Sequence, residues 1–194
     1  MDQGNTAFVL ISAALVLLMT PGLAFFYGGM VKAKSVVSMM MLSFGSLGLI
    51  GVLWVLYGYA ISFSNGGSKD FVGIDGVFGI DLSYVGLAAQ VEDALKPSGA
   101  YPSLAFVAFQ ATFAIITVAL ISGAIADRAK FGAWMVFAGV WATLVYFPVA
   151  NWVFNFTLTD GKITDGGWIV KDIGAIDFAG GTAVHINAGA AGLA

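Results

Sequence analysis

Residues 6–31 read TAFVLISAALVLLMTPGLAFFYGGMV, a stretch without a single charged side chain. An α-helix needs about 20 predominantly apolar residues to cross the hydrocarbon core of a bilayer, which is about 30 Å thick. This stretch is long enough to do so. It is apolar on nearly all sides, which excludes an amphipathic helix lying on the surface of a soluble domain. We therefore predict a transmembrane helix at this position.

Further along the chain, the same pattern recurs four times. The additional stretches are residues 35–63, 103–126, 131–154 and 178–194. We therefore predict an all-α integral membrane protein, a polytopic bundle of five transmembrane helices that forms one domain over residues 1–194.

The segment between the second and third predicted helices, residues 64–102, is acidic and rich in glycine. Turn signals at residues 65–67 and 97–99 predict a loop outside the membrane. For residues 82–95, a short amphipathic helix and a solvated connector without a helix both remain open.

Composition agrees with a membrane protein. Of the 194 residues, 59% are hydrophobic and only 10% are charged, whereas about 25% are charged in a soluble domain. The chain has no cysteine, which excludes a disulfide framework and a cysteine-ligated metal. The net charge of −3 does not provide the basic surface that nucleic acid requires.

The basic residues predict the orientation. Lys32 and Lys34 follow the first helix, and Arg128 and Lys130 follow the third, with Asp127 beside them. These two turns sum to +3, and the rest of the chain sums to −6, which together give the net −3. Short basic turns stay in the cytoplasm. We predict a multi-pass protein of the plasma (cell inner) membrane, with the N-terminus outside and the C-terminal end of this chain inside.

His185 is the only histidine, and it lies in an apolar stretch. It follows Asp177 by eight residues, which places it about 12 Å deeper in a helix. Ionisable groups at that depth are costly, and by default they face a functional cavity. Burial would also favour the neutral imidazole. The alternative is a core histidine bonded to a neighbouring helix.

Two other features have both structural and functional interpretations. Asp177 precedes an apolar run, which predicts a helix cap, and its carboxylate would also favour a nearby cation. Phe109 and Phe113 lie one turn apart on one helix face, where they would either pack in the core or narrow a pore. We find no nucleophile–base pair and no phosphate-binding glycine loop, so the sequence predicts neither an enzyme nor a cofactor.

Residues 177–193 read DFAGGTAVHINAGAAGL, which resembles the signature of the ammonium transporter (Amt/Mep/Rh) family almost residue for residue. Two further stretches are similar to family motifs: PGLAFFYGGMV at residues 21–31, and FQATF at 109–113 running on to GAIADR at 123–128. The resemblance covers essentially the whole chain.

The resemblance implies a homotrimer in which each subunit has its own narrow pore for ammonia, reached from an outer vestibule that recruits ammonium. It implies that Phe109 and Phe113 lie at a gate, with Phe113 nearer the pore. Asp177 would be the vestibule aspartate, and His185 the first of two pore histidines. Phe154 stands where the family often has a vestibule tryptophan, and Trp152 should point to another side of the helix.

The family fold resembles two inverted five-helix halves plus a final helix. The chain matches the first half, so we expect a fragment of a longer transporter. A PII-type regulatory protein is the partner that the resemblance implies for the longer form. Three alternatives remain: an ammonium sensor of the same fold, a gas channel of the Rh branch, and a structural subunit that needs a complementary half.

Overall fold

The computed structural model describes residues 2–95, 100–159 and 162–194. Its main elements are four long helices, Gln3–Met30, Ala33–Ser62, Ser103–Ile125 and Phe131–Phe154. All four are long and apolar enough to cross a membrane. Their ends lie within three residues of the predicted ends, because uninterrupted apolar runs define them. The predicted turn at 97–99 lies outside the described residues.

The fifth helix differs most from its prediction. It starts with π-helical turns at Gly181–Ile186 and continues as an α-helix over Asn187–Leu193. The predicted start at residue 178 is wrong because Gly180 has a φ of +79°, a left-handed conformation that cannot continue a right-handed helix. The fifth helix is about 20 Å long, so these residues alone do not reach across the hydrocarbon core.

The third helix lies at the centre of the bundle. Within its apolar 18-residue stretch, 61% of the residues are buried, compared with 17% in the corresponding stretch of the first helix. It packs against the first, second and fifth helices, and the second helix also packs against the fourth. The first helix therefore has most of its surface free, and its exposed side chains are large and apolar, among them Phe8, Leu15 and Phe25.

Two buried tryptophans join the second helix to its neighbours. The Trp54 indole donates a hydrogen bond of 3.1 Å to the Val107 carbonyl of the third helix. From the fourth helix, the Trp134 indole donates to the Leu42 carbonyl at 3.0 Å and to the Ser46 hydroxyl at 3.1 Å. Buried indoles usually have such a partner, and here the partners set the register of three helices.

The second and fourth helices each contain a π-helical turn, at Trp54–Gly58 and Ala142–Tyr146. The two turns contact each other, because the hydroxyls of Tyr57 and Thr143 lie 2.9 Å apart. Both turns come in the half of the helix nearer its C-terminal end. This junction precedes the C-terminal end of the fourth helix, where Phe154 lies.

The loops contain two antiparallel hairpins that the sequence analysis did not predict. Phe71–Ile74 pairs with Phe78–Asp81, and Phe156–Thr159 pairs with Lys162–Gly166. Strands of four or five residues have too few side chains to show a period of two clearly. For residues 82–95 the helical interpretation is confirmed only in part: Ala88–Leu95 is an α-helix, whereas the 3-10 turns at Leu82–Leu87 are interrupted by the non-helical backbone of Val85 and Gly86.

Candidate functional site

An apolar groove of about 350 Å³ runs between the first, third and fifth helices. Phe113 of the third helix and His185 of the fifth both line it. The rest of its wall is apolar and includes Met19, Leu23, Phe26, Ile116 and Leu120. Two of the residues singled out from the sequence therefore share one cavity, although they are far apart in the chain.

His185 lies in the π-helical start of the fifth helix, and its side chain is exposed. Within the part of the chain that the structure describes, its imidazole makes no hydrogen bond. The imidazole is exposed because no described helix covers that side of the groove, so the burial of His185 within the membrane stays a prediction. The alternative of a core histidine bonded to a neighbouring helix is not observed among the described residues. The imidazole stays available to a ligand in the groove.

The Asp177 carboxylate caps the start of the fifth helix, as its position predicts. Its Oδ1 accepts a hydrogen bond of 2.6 Å from the backbone N–H of Gly180. Its Oδ2 accepts bonds of 3.0 Å and 2.9 Å from the N–H groups of Thr182 and Ala183. These donors have no partner within the helix, so the carboxylate holds the segment that carries His185.

Three phenylalanine rings form a row beside the groove. The rings of Phe109 and Phe113 meet edge to face, with centroids 4.9 Å apart at 86°. The Phe154 ring is tilted against Phe113 at 6.4 Å. Trp152 lies elsewhere, since its indole donates to the Val77 carbonyl and its ring packs on Trp168 at 5.6 Å. The ring of the fourth helix that reaches Phe113 is thus Phe154.

Two asparagines hold the C-terminal end of the fourth helix, a feature that sequence reasoning missed. The side-chain N–H groups of Asn151 and Asn155 donate to the Ser64 carbonyl at 3.0 Å and 2.7 Å. The spacing of one helical turn between two amides at a helix end was the available signal. Through these bonds, the end of the second helix sets the position of Phe154.

A second, polar cavity of about 330 Å³ opens between the loops beyond this end. Its walls include the carboxylates of Asp75, Asp165 and Asp172, and the ammonium group of Lys171. Lys171 pairs with Asp165 at 3.4 Å, and both side chains are largely exposed, so the pair contributes little stability. The remaining charge on this face is negative, which raises the local concentration of cations.

Among the described residues, no group of three or more histidine, cysteine or acidic side chains is arranged to hold a metal ion. In the loop between the second and third helices, burial and the neighbouring Asp81 carboxylate raise the pKa of the Tyr84 phenol above its ordinary value. That hydroxyl stays neutral at physiological pH. The groove and its surroundings thus combine apolar walls, the imidazole of His185, and the carboxylate of Asp177, which accepts three hydrogen bonds from the backbone.

Comparison with known proteins gives consistent matches over the whole length of the chain. The profile of the Ammonium Transporter Family matches residues 7–194. An ammonium transporter of Mycobacterium tuberculosis is 56% identical, over 99% of this chain and 41% of its own length. One from Bacillus subtilis is 46% identical, over 100% of this chain and 43% of its own length.

Solved structures give the same fold. The crystal structure of Saccharomyces cerevisiae Mep2 superposes with a TM-score of 0.77 at 30% identity. The match covers 100% of this chain and 39% of that protein. The chain therefore spans about two fifths of the length of the relatives it matches.

Proposed function

Because the chain belongs to the ammonium transporter family, we propose that it forms part of a pore that takes up ammonium and conducts ammonia. The observation that carries this proposal is the groove that Phe113 and His185 line together. It combines a dry apolar wall with a single group that both donates and accepts hydrogen bonds. Both features suit a small neutral amine, which costs little to transfer into an apolar medium and still forms hydrogen bonds.

Recruitment would take place at the outer end. The acidic loops attract ammonium over a distance, and the face of the Phe154 ring stabilises a cation directly. Asp177 already accepts three backbone hydrogen bonds, so we propose that it acts mainly by holding the backbone in place and by its negative field. In this proposal it is not a direct ligand of ammonium.

Deprotonation would occur near Phe109 and Phe113. An unpaired ion is extremely costly to move into an apolar medium, whereas a neutral polar group costs only a few kcal/mol. Ammonium can leave its proton behind and continue as ammonia, but potassium has no proton to lose. The apolar groove therefore selects by charge, and the rings keep water out of it.

His185 would then serve as the polar contact for ammonia within the groove. A neutral imidazole offers one N–H donor and one acceptor nitrogen, and ammonia can bind to either. The expected second histidine and the other wall of the groove would come from residues outside this chain. The exposed, unbonded imidazole and the length of the relatives support this proposal of a fragment.

We extend the proposal to assembly and orientation. The longer protein would be a homotrimer in the plasma membrane, with the N-terminus outside, and a PII-type protein would regulate it from the cytoplasm. The broad apolar surface of the first helix suits contact with either lipid or another subunit.

Uptake of methylammonium into proteoliposomes tests the function. We expect uptake with the full-length gene product, a large loss with His185→Ala, and no uptake with residues 1–194 alone. Ile186→Ala is the matched control, because Ile186 is exposed next to His185 but does not line the groove. Ammonium binding without uptake by the full-length protein would overturn the proposal and favour the sensor.

A further inference from the structure

The second helix is followed by a tight turn that contains the neighbours Asn65 and Gly66. The Ser68 N–H donates a hydrogen bond of 2.9 Å to the Asn65 carbonyl and closes the turn. Inside it, the side-chain oxygen Oδ1 of Asn65 accepts a bond of 2.9 Å from the Gly67 N–H. Such a bond is typical of asparagine in turns. It fixes the Asn65 side chain beside its own backbone, and that side chain is exposed.

The packing of the loop requires glycine at position 66. A Cβ atom on Gly66 would overlap the Asp75 carboxylate, which lies directly against this part of the backbone. In the described part of the chain, the Gly66 N–H also makes no hydrogen bond. The backbone nitrogen of Gly66 is therefore neither shielded by a side chain nor held by an acceptor.

Three asparagines line the polar cavity between the loops, and their amide nitrogens differ. The Nδ2 atoms of Asn151 and Asn155 donate to the Ser64 carbonyl at 3.0 Å and 2.7 Å. A bulky aromatic residue follows each of them in the chain. The Nδ2 atom of Asn65 donates no hydrogen bond to the residues that the structure describes, and a glycine follows it. Among these three, only Asn65 combines a free amide nitrogen with an unhindered neighbour.

We propose that Asn65 is a site of spontaneous deamidation. The backbone nitrogen of Gly66 attacks the side-chain carbon Cγ of Asn65 and forms an N–Cγ bond. The Cγ–Nδ2 bond breaks, and Nδ2 leaves as ammonia with the proton that the Gly66 nitrogen gives up. Water then opens the cyclic imide on either side of this nitrogen. Opening at Cγ leaves aspartate, and opening at the main-chain carbonyl carbon leaves isoaspartate, in which the chain runs through the former side chain.

The turn favours this reaction in two ways. Negative charge develops on Oδ1 as Cγ is attacked, and a backbone N–H that already bonds to this oxygen stabilises the charge. The nucleophile also belongs to the same turn, so no separate reactant has to be brought into place. Neither feature involves the groove of His185, so this inference does not depend on transport.

The product lies next to the bonds that hold the end of the fourth helix. Isoaspartate adds a methylene group to the backbone directly after Ser64, and it adds a negative charge close to Asp75. The Ser64 carbonyl is the acceptor that Asn151 and Asn155 share. We therefore expect faster proteolysis of the second hairpin in the aged protein than in the fresh protein. Asn65→Asp, which has the charge but a normal backbone, should be cleaved more slowly than the aged form. Equal cleavage of aged and fresh protein would contradict this consequence.

Peptide mapping by mass spectrometry tests the proposal on the purified full-length gene product, aged in neutral buffer at constant temperature. We expect deamidation of Asn65 to be at least about tenfold faster than that of Asn151 or Asn155, whose hydrogen bonds must first break. Both aspartate and isoaspartate should form. Asn65→Gln is the blank: its longer side chain has to close a larger ring, so it should stay unmodified over the same time.

Two pairs of variants test the nitrogen of Gly66 and the N–H of Gly67. Gly66→Ala in an Asp75→Gly background shields the nitrogen without the steric overlap and should slow the reaction about tenfold. Asp75→Gly alone is its control and should stay within about threefold of wild type. Gly67→Pro removes the N–H that bonds to Oδ1 and should slow the reaction about tenfold. Gly67→Ala keeps this donor, makes only an ordinary contact with Asn65, and should react like wild type.

Three results would overturn the proposal. If Asn65 deamidates no faster than Asn151 while a synthetic peptide of residues 61–70 does react, the turn protects the side chain. Aspartate without isoaspartate would indicate direct hydrolysis instead of a cyclic imide. Equal rates within either pair of variants would show that the free nitrogen or the N–H donor is irrelevant.

Discussion

Replacing Asp177 by alanine removes the acceptor for three backbone N–H groups at the start of the fifth helix. Gly180 and Ala183 are buried, and a buried donor without a partner costs about 1–3 kcal/mol. Asp177 itself is only half-buried, so water replaces part of the loss. We expect the first turns of this helix to be destabilised by about 2–4 kcal/mol.

Hydrogen exchange over residues 180–186, followed by mass spectrometry, measures this directly. A change of 2–4 kcal/mol corresponds to exchange faster by about 30- to 700-fold. Asp177→Asn keeps one oxygen and so at most two of the three bonds, and it should lie between alanine and wild type. Asp172→Ala, which removes an exposed carboxylate five residues earlier, is the control. Exchange within about threefold of wild type in Asp177→Ala would refute the reasoning.

Three other predictions concern the packing, and two of them have a matched control substitution. Trp134→Phe loses two buried hydrogen bonds and should lower the free energy of unfolding by about 1–3 kcal/mol. Trp141→Phe, which loses none, should cost less in the same denaturant titration. Gly58→Ala places a methyl group 2.6 Å from a buried ring and should lower the melting temperature. Gly48→Ala meets open space and should raise or keep it; equal effects would contradict the steric argument. Asn155→Ala loses a 2.7 Å bond and should speed proteolysis of the second hairpin; unchanged cleavage would argue against the asparagine anchor.

The transmembrane helices were predictable because the bilayer imposes a length and a composition that one sequence shows directly. Phe131–Phe154 has the predicted bounds. The cap formed by Asp177 was also predictable, since it depends on residues only three to six positions away. Local rules are sufficient where the interacting groups are neighbours in the chain.

Features that depend on distant contacts were not predictable. The two π-helical turns contact each other through Tyr57 and Thr143, and no local pattern predicts that contact. The burial expected for His185 rests on its depth along a membrane-spanning helix, and the described residues form only part of its surroundings, so that expectation stays a prediction. The contact between the rings of Phe113 and Phe154, whose centroids lie 6.4 Å apart, joins two helices and was not predicted either. Their roles in a pore remain predictions.

The indole bonds of Trp54 and Trp134 have a mechanical consequence. A slide of one residue along a helix is about 1.5 Å, enough to pull either indole N–H away from its carbonyl. The second, third and fourth helices therefore behave as one stiff plate. In the described part of the chain, no side-chain hydrogen bond joins the fifth helix to the other three. The fifth helix is therefore held in place less tightly than they are. We therefore expect thermal motion that changes the width of the groove to be concentrated at the helix that carries His185.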